Sequence, residues 1–73
     1  MIFISTNFHE HELSTAIFAT QAAAELDILA TVQAFCGYDG ETYDVAEISD
    51  YLAGSGQSFS WSVDGPLAAT LDA

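Results

Sequence analysis

Not one lysine or arginine occurs among the 73 residues, against 11 aspartates and glutamates and a formal net charge of −11. Basic residues ordinarily make up roughly one position in eight, so a chance draw of none is on the order of one in ten thousand. The absence excludes several things. Carboxylates cannot pair internally, except with the N-terminal amine or a protonated His9 or His11. Nucleic acid is excluded as a ligand, because phosphate contacts need cations. An anionic membrane would repel the chain. With one cysteine, Cys36, there is no intrachain disulfide, and a reducing compartment is expected. There is no positively charged leader. The most apolar run, from Leu13 to Ala24, is too short to cross a bilayer and contains Thr and Gln. A cytoplasmic location follows as the expectation.

The remaining composition points to a folded core. Hydrophobic residues are 51% and aromatics 12%, more than a disordered acidic tail carries. The chain is short enough for one domain only, an acidic domain spanning 1–73.

The stretch 1–5, MIFIS, reads as a first strand, central or well covered. Asn7 stands three residues before Glu10, a variant of the capping box, and predicts a helix start. From Phe8 to about Phe35 there is no Pro or Gly. Leu13, Ile17, Ala24 and Ile28 there recur at helical spacing. One long helix, or two broken near residues 24–27, would satisfy this pattern. Gly37 is the natural stop. A further helix is expected with Thr42 as N-cap and Gly54 at its end. The stretch 58–63, SFSWSV, alternates strictly, placing Phe59, Trp61 and Val63 on one strand face. A loop at Asp64 to Pro66 would close a hairpin pairing Val63 with Leu67, Trp61 with Ala69 and Phe59 with Leu71. The expected class is α+β in the order β-α(α)-α-β-β, with a C-terminal hairpin and the helices on one face of a short sheet.

The segment YDGETYDVAEISDY (38–51) holds five acids and all three tyrosines. At about 100° per residue, Val45, Ile48 and Leu52 fall within an arc of roughly 60° and predict the buried stripe. Asp44, Glu47 and Asp50 span the opposite side, with Tyr43 and Tyr51 among them, and Asp39 and Glu41 extend the patch into the preceding loop. A solvated helix face normally mixes charge signs, which this one cannot do. Tyrosines are enriched at binding surfaces. The candidate partner-binding residues are therefore Asp39, Glu41, Tyr43, Asp44, Glu47, Asp50 and Tyr51.

Other constellations lack the spacing their chemistry needs. His9 and His11, two residues apart, diverge on a helix, and position 13 of an HExxH motif would be Leu13. Residues 39–44, DGETYD, lack the order of an EF-hand. Cys36 sits on an apolar stretch and reads as a small hydrophobe. No G-x-S-x-G motif occurs, and no lysine exists to activate a serine. Trp61 reads as a core anchor. No enzyme activity, cofactor or metal is expected.

Successive i,i+3 acids rise about 4.5 Å along a helix, comparable to backbone phosphate spacing, and carboxylates accept arginine forks as phosphates do. In size, acidity and lack of enzyme motifs, the whole chain resembles small phage-encoded inhibitors that mimic DNA, among them anti-restriction and anti-CRISPR proteins. The likeness is one of composition and carries no motif. It implies a partner with a basic DNA-binding surface, with a subunit of a type I CRISPR surveillance complex favoured, bound in the host cytoplasm by a monomer or homodimer. An antitoxin or immunity-like protein that covers a cationic toxin or nuclease, and a phage structural or assembly subunit, remain alternatives.

Overall fold

Three strands and two helices make up the computed structural model, which describes residues 1–68. They are β1 Ile2–His9, β2 Glu12–Phe18, α1 Gln21–Cys36, α2 Val45–Ser55 and β3 Phe59–Leu67. The strands form one antiparallel sheet in the order β2-β1-β3, with β1 central as expected. The class is α+β, but the order is β-β-α-α-β. The hairpin is N-terminal, not C-terminal.

Two expectations fail in identifiable ways. Residues 8–18 are not helical. The strand β1 continues through Asn7, which pairs with Ser14 and Trp61 rather than capping a helix. Glu10 and His11 then turn the chain at φ 50° and 71°. A two-residue turn with both φ values positive suits the twist of a hairpin. The helix begins only at Gln21, where the Thr20 side chain accepts from the Ala23 amide at 3.1 Å. The second failure is the loop at residues 64–66. These residues lie within β3, where Val63 pairs with Ser5 and Leu67 with Ile2. A register shift between Ile2 and Ile4 absorbs the irregularity. The expected partners Ala69 and Leu71 lie outside the described residues.

One sheet face receives α1. Ser5 is 1% exposed and donates from Oγ to Asp27 Oδ2 of α1 at 2.7 Å. His9 stacks on Phe35 of α1 with ring centroids 5.6 Å apart. Leu29, Val32 and Cys36 of α1 pack with Ile48 and Leu52 of α2, Tyr38 and Phe59 into the core. On β3, Phe59, Trp61 and Val63 turn inward and the serines outward, as the alternation predicts. The other sheet face carries Ile2, Ile4, Thr6 and Phe8, with Leu13, Thr15 and Ile17 beside them. Among the described residues, no helix is long and apolar enough to cross a membrane.

Candidate functional site

The acid-rich segment begins where Gly37 ends α1. Gly37 takes the left-handed conformation at φ 71°, and the Gly37 and Tyr38 amides both donate to the Val32 carbonyl. The chain is thereby sent across the end of the helix pair. Tyr38 turns into the core, 7% exposed, with its ring edge-on to Tyr51 at 5.3 Å. Its hydroxyl donates to Glu47 Oε2 at 3.3 Å. Gln33 Nε2 donates to the Gly40 carbonyl at 2.7 Å. A Cβ on Gly40 would run into the hydroxyl end of the Tyr38 ring, so glycine is what lets the loop close over it.

Asp44, not Thr42, caps α2; its Oδ1 accepts from the Glu47 amide at 3.1 Å. The left-handed cap at the far end is Gly56, one turn-half beyond the expected Gly54. Ile48 and Leu52 are buried as predicted, but Val45, the first residue of α2, is 54% exposed at the helix's open end.

The tyrosines do not form an exposed face. Tyr51 donates from its hydroxyl to the Cys36 carbonyl at 2.7 Å. Tyr43 precedes the helix, and its hydroxyl accepts from Trp61 Nε1 at 2.9 Å. Two tyrosines thus fix the acidic segment to the scaffold, Tyr51 to the end of α1 and Tyr43 to β3, while Tyr38 ties the segment's loop to its own helix α2. What remains outward are the exposed side chains of Asp39, Glu41, Asp44, Glu47 and Asp50. Two of these five, Asp44 and Glu47, are partly engaged by the cap and by Tyr38. Asp39, Glu41 and Asp50 are the acids in the segment with no structural duty in these contacts.

Sequence reasoning missed a groove beside this segment. A shallow cavity of about 590 Å³ lies between the start of α1, the start of α2 and β3. Glu25, Tyr43, Val45, Ser49, Trp61 and Val63 contribute to its walls. One Glu25 oxygen accepts from Gln21 Nε2 at 3.0 Å, and a carboxylate has room for further donors. An indole, a phenol ring and a carboxylate in one groove suit a guanidinium or ammonium group. The one cue in the sequence was Trp61, which the alternation of β3 assigns to the core.

No family model, curated protein or solved structure matches the chain.

Burial pushes the Tyr38 hydroxyl above its ordinary 10.0, and the charge of Glu47, its hydrogen bond, and the charges of Asp44 and Asp39 push the same way. The charges of Asp39, Asp44 and Glu47 thus all bear on this one hydroxyl. Burial, then the charge of Glu10, raises the Cys36 thiol from 9.0. Both groups hold their proton more tightly when folded. Their stabilising effect is full below the unfolded value and is lost as pH rises towards the folded one. Urea midpoints should therefore fall from about pH 9 upward. Tyr38→Phe should flatten the part of the decline above about pH 10. A variant that keeps the whole wild-type slope there would show that Tyr38 is not its source.

Proposed function

We propose that the protein is an inhibitor that occupies a cationic, DNA-reading surface of another protein, presenting carboxylates where the phosphate backbone would lie. The observation that carries this reading is the braced acidic segment in a chain with no cation. Asp39, Glu41 and Asp50 are exposed on a loop and helix fixed by three tyrosine hydroxyls and Gln33. Bracing lowers the ordering cost of binding, and arginine forks on a partner supply what the segment lacks. The groove at Trp61 and Tyr43 supports the same reading, since it suits an arginine or lysine side chain reaching past the acidic edge. The partner class consistent with this is a defence nuclease or surveillance complex that must read DNA to act.

Competition with DNA tests the proposal. The protein should displace duplex from such a complex at low salt and lose affinity steeply as salt rises. Combining Asp39→Lys, Glu41→Lys and Asp50→Lys should weaken binding roughly a hundredfold or more while leaving the melting temperature near wild type. Asp44 is left in place because it caps α2. Glu12→Lys, a reversal on the far hairpin, should cost much less. Equal affinity in the triple variant, or no competition at any salt, would reject the proposal.

A further inference from the structure

Both faces of the sheet carry large apolar residues, but α1 packs against only one of them. The face under α1 carries Phe59, Trp61 and Val63 of β3 together with Ser5, Asn7, Ser14 and Ala16, of which Ser5 and Asn7 are buried polar residues. Among the described residues nothing covers the other face, and it too is apolar. Its pairs across β1 and β2 are Phe8 with Leu13, Thr6 with Thr15, and Ile4 with Ile17; Leu67 of β3 sits beside Ile2. Leu13 and Ile17 are 68% and 65% exposed, and Phe8 and Leu67 are also open to solvent. An antiparallel sheet with one wet face normally turns its polar residues to water. A patch of this kind marks an interaction surface.

We propose that two copies of the chain associate through these uncovered faces, sheet against sheet. Charge decides the occupant. Apart from Asp64 at the β3 edge, which accepts from Ser62 at 3.3 Å, the strand positions on this face carry no ionisable group. A cationic partner finds nothing to pair with here. An uncharged apolar surface matches it, and the same face of a second copy is one. The acidic segment lies on the helix side, across a layer about 10 Å thick. Salt screens charge over about 8 Å at physiological strength, so stacking the sheets brings the two acidic segments into little direct conflict. A shallow cavity whose walls include Thr6, Phe8, Leu13, Ser60 and Ser62, with Asn7 and Trp61 also bordering it, gives this face relief into which a facing side chain can seat.

Area sets the strength. Three strands about 4.8 Å apart and about 25 Å long offer roughly 350 Å² in projection, and more as accessible surface. Two copies would bury on the order of 1,000 Å², at the threshold for a specific interface. The dimer should thus be weak and concentration-dependent.

Sedimentation of the full chain from about 1 μM to about 1 mM should show the mass rise from one copy towards two. Added salt should tighten the dimer, because it screens repulsion between two acidic molecules. This is opposite in sign to binding of a cationic partner, so failure of one proposal is separable from failure of the other. The double variant Leu13→Thr, Ile17→Thr keeps strand-forming residues and should remain monomeric over the whole range. Its circular dichroism at low concentration should match that of the wild type, which separates lost association from lost folding. A wild type that stays monomeric at the highest concentration overturns the proposal. So does a dimer that the folded double variant retains, since that would place the contact elsewhere, such as the free edge of β2.

Discussion

Gly65→Ala should lower stability by about 2–5 kcal/mol, and melting by roughly 10–30 °C for a domain of this size. Two costs combine. Gly65 has φ +146°, a conformation open to glycine and costly for any L side chain. A Cβ there would also stand 2.5 Å from Phe3 Cδ2 and 2.9 Å from the Ile2 carbonyl oxygen. The carbonyl belongs to the central strand and has little freedom to move. Gly54 is the matched control. It lies within α2, and an added Cβ meets nothing within 4 Å. Gly54→Ala should therefore stabilise by about 0.5–1 kcal/mol. Urea unfolding of both variants checks the pair, and a Gly65→Ala midpoint close to wild type would mean that β3 does not run against Phe3 as described.

Ile48→Ala is expected to cost about 2–5 kcal/mol. Ile48 is fully buried among Leu29, Val32, Tyr38 and Phe59, and with Leu52 is one of two buried residues on α2. Total stability for 73 residues is roughly 4–11 kcal/mol, so one truncation removes a large fraction. The effect should extend to the acidic segment, since Ile48 and Tyr38 belong to the same core cluster. Amide exchange in α2 should accelerate more than exchange in β1. Uniform acceleration would mean that α2 and the sheet open as one unit.

Much of the fold was legible because some signals have a single structural meaning. Gly37 ends a helix, Ile48 and Leu52 mark a stripe, and alternation through Phe59, Trp61 and Val63 marks a strand. The N-terminal hairpin was not legible for a specific reason. Leu13 and Ile17 are four apart, and a spacing of four keeps residues on one face of both a helix and a strand. Between them only Thr15 is a β-branched strand former, and the frequent alanines further on favour a helix. The turn gave no help, because Glu10 and His11 occupy positive-φ positions usually held by Asn and Gly. At the C-terminal side the error ran the other way. Asp64-Gly65-Pro66 has the composition of a turn, but it passes along β1 as an irregular strand segment. At the candidate site, the acids could be placed from periodicity. The roles of the tyrosines could not, because a hydroxyl's partner across the fold leaves no trace in local spacing.

The internal fastening of the acidic segment separates two jobs that one surface often has to share. The three phenolic oxygens, the Asp44 cap and Gln33 carry the mechanical load. Asp39, Glu41 and Asp50 carry none of it. Those three positions can therefore change in charge, length or shape while the architecture beneath them goes on folding as before.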